Sequence, residues 1–112
     1  MLIYKIFRTA EWDVLQDQGV TQGAPVDLHD GYIHFSTADQ ARETAAKHFA
    51  GEDALILAAV DAGALGSALK WEASRGGALF PHLYKSLNIT DVVWHKPLRL
   101  NGSEHQFPSE MT

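Results

Sequence analysis

Apolar residues follow different periods along the chain, and these periods predict where strands and helices lie. Residues 2–8 are rich in β-branched and aromatic side chains, and they predict a first strand with two distinct faces. Helical spacing predicts one helix over residues 9–18 and another over residues 38–50. The continuous apolar run over residues 54–60 predicts a strand covered on both faces. Short strands combined with two main helices favour the α+β class.

Two prolines fall inside strand-like segments, where they predict the edge or the interruption of a sheet. Proline has no N–H to donate to a neighbouring strand. Because Pro81 lies within residues 79–84, we expect that segment to be an edge strand or a loop lying across the core. Because Pro97 lies within residues 89–100, we expect a break or a bulge near Pro97 in that strand.

Turn residues separate the predicted elements. Residues 20–29 contain a glycine and a proline and predict an irregular segment with brief extended pieces. Asn101-Gly102 predicts a hairpin turn, after which residues 106–107 return as a last strand. We expect residues 108–112 to fray, as chain ends commonly do.

The predicted core consists of large apolar side chains on the inner face of each element. We expect burial of Trp12, Ile33, Phe35, Phe49, Leu55 and Leu57.

Composition narrows the function classes without choosing among them. At 112 residues, the chain is long enough for one domain spanning residues 1–112. The net charge of −5 argues against a nucleic-acid backbone as partner, because such proteins carry a basic face. The chain has no cysteine, no apolar run near the ~20 residues that span a bilayer and no visible leader segment. We therefore expect a cytoplasmic protein away from membranes, and the sequence leaves a protein partner open.

Residues 30–37 form the stretch with the most candidate chemistry. Strand alternation places Tyr32 and His34 on one face, with Ile33 on the other. Ser36 lies two residues beyond His34, directly before the start of the second helix, and a helix start can bind an anion or a polar ligand. The alternative is a core histidine hydrogen-bonded to the backbone, and the pattern does not separate the two.

Further candidates lie in short aromatic segments, where burial can shift a pKa and exclude water. These candidates are Glu72, Arg75, His82 and Tyr84. Lys5 lies among apolar neighbours in the first strand, and the pattern alone favours an edge charge reaching solvent over a site residue. His48 falls in the last turn of its helix, where we interpret it as structural.

Several common sites are not expected. His34, His82, His95 and Glu72 are chemically acceptable zinc ligands, but they lack the close spacing of a metal motif, so we expect no metal site. Ser36 is not in the turn motif of a serine hydrolase, and the chain has no glycine-rich phosphate loop or dinucleotide fingerprint.

Four motifs resemble a known bacterial family over nearly the whole chain. They are Ile3-Tyr4-Lys5-Ile6, Asp30-Gly31-Tyr32-Ile33-His34-Phe35-Ser36, Trp71-Glu72 and Phe80-Pro81-His82-Leu83-Tyr84. Together they resemble domain of unknown function 952, which is grouped with the ADP-ribosyltransferase-like folds. The strand around His34 is also similar to the His-Val-His-Leu-Ser strand of the RNA 2′-phosphotransferases, which use NAD. The resemblance implies a single domain with bent, split, mixed β-sheets.

The resemblance also implies roles for individual residues. His34, Ser36, His82, Tyr84 and Lys5 would bind NAD or a related small molecule, and Glu72 with His34 would act in catalysis. Cleavage of the bond to nicotinamide would pass through an oxocarbenium-like state that Glu72 stabilises. Lys5 stands where the superfamily has a histidine on the first strand, so it is a departure from the pattern. An ammonium cannot accept a hydrogen bond as an imidazole can.

The functional expectation is thus an NAD- or ADP-ribose-related transferase, or a descendant that binds such a ligand. Only Arg42 and Arg75 are candidates for the basic set around an RNA phosphate, so an RNA substrate is not expected. The alternative is a non-catalytic module that binds a small anionic ligand or a protein partner through the same cleft.

Overall fold

Two curled antiparallel sheets and three helices form one α+β domain. A computed structural model describes residues 1–111, apart from the side chain of Arg75. The candidate Arg75 side chain and the terminal Thr112 therefore lie outside the described residues. The helices are α1 (Thr9–Gln18), α2 (Pro25–Asp30) and α3 (Ala38–His48). The strands are β1 (Leu2–Arg8), β2 (Val20–Thr21), β3 (Ile33–His34), β4 (Leu55–Asp61), β5 (Leu69–Ala73), β6 (Leu79–Leu83), β7 (Leu87–Asn88), β8 (Val92–Asn101) and β9 (Glu104–Gln106).

The larger of these two sheets has the strand order β1-β4-β8-β9, and the smaller one has the order β3-β6-β5. Strands β2 and β7 pair separately as a two-stranded sheet. All pairings among the described strands are antiparallel, so the expected mixed sheet is wrong in that respect. The two sheets meet where Tyr4 of β1 pairs with Ser36, two residues beyond the end of β3. There the Tyr4 N–H donates to the Ser36 carbonyl at 2.7 Å, and the Ser36 N–H donates to the Tyr4 carbonyl at 2.9 Å. This junction covers the outer edge of β1.

The core lies on both faces of the larger sheet. Ala58 and Val60 of β4 face one apolar cluster, and Leu55 and Leu57 face the other, which α3 covers. The prediction of a strand covered on both faces is confirmed. Of the six predicted core residues, Phe49 differs from the others because it is only partly buried.

Pro81 lies in a central strand, so the expectation of an edge strand or loop there is wrong. The Pro81 carbonyl accepts a hydrogen bond from the Phe35 N–H at 3.0 Å. The N–H and C=O of one strand residue point to the same side, so the N–H that Pro81 lacks would have faced Phe35, the residue after His34. Because β3 ends at His34, no ladder hydrogen bond is lost there.

Pro97 does not interrupt its strand, contrary to expectation, and it pairs with Ile56. The register shift lies instead between Ala59 and Val60, which pair with Trp94 and Val92 and leave Val93 as the extra residue.

Two segments, one expected to be irregular and one expected to fray, are more ordered than expected. The segment 20–29 holds β2 and most of α2, whose first residue is Pro25 and whose end is followed by Gly31 in a left-handed conformation. Near the C-terminus, Met111 is buried in the cluster beneath α3, and Lys96 pairs with Glu110 at 2.9 Å.

No helix in the described part of the chain is long and apolar enough to cross a bilayer.

Candidate functional site

A cavity of about 590 Å³ lies where β1, β3, α2 and α3 meet. One part of its wall is apolar and aromatic, formed by Tyr4, Phe35, Phe49 and Phe80. The polar part includes Lys5, Arg8, Asp27, Asp30, His34, Ser36, Thr44, His48, Ser74 and His82. The volume falls within the range of about 300–1,000 Å³ that is usual for small-molecule sites. The junction of the two sheets therefore holds a cavity of ligand size.

Asp27 is the centre of the polar wall, although the sequence did not single it out. Its side chain is fully buried, and it pairs with the Lys5 ammonium at 2.9 Å and with His34 Nδ1 at 2.6 Å. The backbone N–H groups of Ala24 and His34 also donate to its carboxylate, at 2.8 and 3.1 Å. Four donors thus compensate the burial of this charge. Lys5 is itself buried, so its interpretation as an edge charge reaching solvent is wrong.

The chain before α2 brings Asp27 close to the backbone. Gly23 has a φ of +102°, and a Cβ at this position would lie 2.3 Å from Asp27 Oδ2. A side chain at residue 23 would therefore collide with the carboxylate in an already strained conformation.

We expect the Asp27 carboxyl to titrate near pH 2. Burial alone would raise its pKa, but the hydrogen bond from His34 and the charge of Lys5 outweigh burial and lower the pKa to about 2. Because the pKa in the folded protein lies below the ordinary value of 3.8, ionised Asp27 adds about 2 kcal/mol to the free energy of unfolding above pH 4. That contribution is lost as pH falls toward 2. The ¹³C chemical shift of the Asp27 carboxyl, followed against pH, measures this value directly, and a midpoint above 3.8 would contradict the burial of an ion pair.

His34 bridges two carboxylates at the cavity. Its Nδ1 contacts Asp27, and its Nε2 lies 3.0 Å from Asp30 Oδ2. A carboxylate oxygen only accepts, so both contacts are hydrogen bonds when the ring carries two protons. The alternative of a histidine bonded to a backbone carbonyl does not describe these contacts. The His34 side chain keeps 33% of its surface exposed and lies on the same face as Tyr32, as alternation predicted.

Glu72, His82 and Tyr84 come together as a second group. Glu72 Oε1 lies 2.9 Å from His82 Nδ1 and accepts a hydrogen bond from the Tyr84 hydroxyl at 2.7 Å. The bonds from Tyr84 and His82 lower the pKa of Glu72, and the carboxylate raises the pKa of Tyr84 to about 12. Glu72 and Tyr84 are not among the described lining residues, so this group reaches the cavity through His82.

Tyr32 connects the two groups. Its ring stacks on His82 with centroids 4.1 Å apart, and it lies 4.7 Å from His34 and 5.2 Å from Tyr84. Burial raises the pKa of Tyr32, so its hydroxyl stays protonated at neutral pH. The aromatic stack holds the two histidines at a centroid distance of 5.4 Å.

Ser36 lines the cavity as the sequence led us to expect, and a capping box uses part of the helix start beside it. Its hydroxyl lies 3.2 Å from the Thr44 hydroxyl. The Thr37 N–H donates to Gln40 Oε1, and the Gln40 N–H donates to Thr37 Oγ1, which forms the expected capping box. Two donors at the start of α3 are therefore used within the helix.

The structure adds cavity residues that sequence analysis missed. Asp27 and Asp30 lie on α2. The sequence signal for that helix was a proline at its first position and a glycine after its end. Thr44 and His48 lie one turn apart on α3 and both line the cavity, although we interpreted His48 as structural. Within residues 1–111, no three His, Asp or Glu side chains are grouped so as to hold a metal ion.

The fold and this cavity define the class of protein, which is a small α+β domain with a ligand-sized cavity between two curled antiparallel sheets. Residues 6–95 match the family model described as "Protein of unknown function (DUF952)", and the chain belongs to this family.

Solved structures of protein CC0527 from Caulobacter crescentus are similar to this chain. Its crystal structure has a TM-score of 0.91 at 52% identity, over 95% of this chain and 94% of that one. Its solution NMR structure has a TM-score of 0.84 at 53% identity, over 93% and 90% of the two chains. No curated protein matches the chain.

Proposed function

We propose that the protein binds NAD or an ADP-ribose derivative in the cavity, as a cytoplasmic transferase of ADP-ribosyltransferase type or as a binding descendant of one. The observation that carries this proposal is the division of the cavity wall. The partly exposed Phe49 and the apolar wall around it suit a heteroaromatic ring. His34, Asp30, Ser36 and Thr44 suit the hydroxyls of a ribose.

In catalysis, the polar group around His34 and the polar group around Glu72 would have different roles. An oxocarbenium-like state needs a carboxylate close to the ribose, and Asp30 is the partly exposed carboxylate of the cavity wall. Glu72 would act through His82, because its contact with Nδ1 leaves Nε2 of a neutral ring as an acceptor. An RNA substrate is not part of the proposal, since Arg42 stacks on Phe107 away from this cavity.

The test compares binding to His34→Ala and to a matched histidine variant. We expect NAD or ADP-ribose to raise the melting temperature of the wild type, because a ligand that binds only the native state stabilises it. His34→Ala should weaken binding about tenfold or more, measured by calorimetry. His95→Ala should leave binding within about threefold, because His95 is exposed on β8 and does not line the cavity.

Release of nicotinamide from NAD, followed by chromatography, separates a transferase from a binding descendant. No shift with either ligand would rule out the proposed function. His34→Ala should also cost about 1–3 kcal/mol in stability, since two carboxylates lose a donor, so binding is measured below its melting temperature.

A further inference from the structure

The charges around the cavity are balanced within the protein. Lys5 and Arg8 are the described lysine and arginine side chains of its wall. Lys5 pairs with Asp27 at 2.9 Å, with both side chains buried. Arg8 donates to both carboxylate oxygens of Glu52, at 2.8 and 3.0 Å, and also lies 3.7 Å from Glu11. Neither cation is available to a ligand without the loss of an existing ion pair.

Several backbone donors beside the cavity already have partners within the protein. Thr37 and Gln40 use their N–H groups within the capping box of α3. A phosphate that paired with Lys5 would have to displace Asp27, which would leave a buried carboxylate without its counter-charge. The wall therefore offers a phosphate little compensation for its lost hydration.

Asp30 places a negative charge on the wall of the cavity. Its carboxylate is partly exposed, and it contacts His34 Nε2 and, on the other side, His29 Nδ1. With Lys5 and Arg8 both paired, the balance at the wall favours an uncharged or positively charged ligand group. The net charge of −5 for the whole chain acts in the same direction at longer range.

We propose that the cavity takes the ribosyl end of its ligand, as an uncharged nucleoside or a cationic N-ribosyl pyridinium, and leaves phosphate groups outside. This inference rests on the proposed function and specifies which part of an NAD-like molecule the cavity recognises. The apolar part of the wall, with the partly exposed Phe49, packs against the base, and the Asp30–His34 pair faces the ribose.

The experiment uses two probes that differ by one phosphate: nicotinamide riboside and its 5′-monophosphate. We expect calorimetry to show the riboside binding at least as tightly as the monophosphate, with no binding of inorganic phosphate. Asp30→Asn should weaken riboside binding about tenfold, because the cation loses its counter-charge. Asp17→Asn, the same change at an exposed position on α1, should leave it within about threefold.

The failures of the two proposals give different results. If the 5′-phosphate tightens binding more than about threefold, or Asp30→Asn has no effect, the inference is overturned while the proposed function stands. If neither probe binds but NAD or ADP-ribose does, the inference is again overturned alone. If none of these compounds binds, both fail.

Discussion

Replacing Asp27 with asparagine is expected to lower the free energy of unfolding by about 3–5 kcal/mol, because it leaves a buried charge without its partner. Asparagine keeps the size of the side chain, so the change isolates the charge. The Lys5 ammonium, only 7% exposed, would lose its ion pair, and His34 would lose the carboxylate 2.6 Å from its Nδ1. Urea denaturation of the two proteins at pH 7 measures the difference.

A second substitution shows whether the loss comes from the stranded ammonium. In the Lys5→Met/Asp27→Asn double variant, no buried charge is left unpaired, so we expect much of the lost stability to return. Asp17→Asn should change stability by about 0.5 kcal/mol or less, since Asp17 is exposed on α1. A loss below about 1 kcal/mol for Asp27→Asn would mean that water reaches the Lys5–Asp27 pair in solution.

The elements predicted correctly are those that short-range chemistry determines. The first helix ends where Gly19 adopts a left-handed conformation, with a φ of +75°. The start of α3 follows from the reciprocal bonds of Thr37 and Gln40, which lie three residues apart. Both signals involve neighbours in the chain, so a single sequence shows them.

The elements predicted incorrectly depend on contacts between distant segments. Whether Pro81 is tolerated inside a sheet depends on the length of β3, almost fifty residues earlier in the chain. The burial of Met111 depends on its docking beneath α3. Local pattern predicts an edge and a frayed end for these two residues, and tertiary packing overrides both predictions.

The same distinction applies to the candidate site. Alternation correctly places His34 and Tyr32 on one face, since that relation is local. Asp27 contacts Lys5, which lies 22 positions earlier in the chain, and no local pattern in residues 20–29 marks it. The sequence therefore pointed to His34, and to His82 with its partner Glu72, but not to Asp27 and Asp30, the carboxylates that hold His34.

Two phenylalanines that the sequence assigns equally to the core should differ clearly in stability. Phe35 is 2% exposed within the cluster between the two sheets, so Phe35→Ala should cost about 3–5 kcal/mol. Phe49 is partly buried at the end of α3, where the Arg8 guanidinium lies 4.7 Å from its ring centre. Phe49→Ala should cost about 1–2 kcal/mol, because part of the ring is already in water and the cation–π contact adds about 0.5–1 kcal/mol.

Chemical denaturation of both variants under the same conditions decides between the two assignments, and the slope of each transition shows whether the unfolded states remain comparable. Raising the salt concentration separates the two contributions at Phe49. The contact with Arg8 is electrostatic and exposed enough to be screened, whereas ring burial is not. Equal losses for the two variants, or a larger loss for Phe49→Ala, would mean that the end of α3 packs more tightly against the larger sheet than the position of Phe49 indicates.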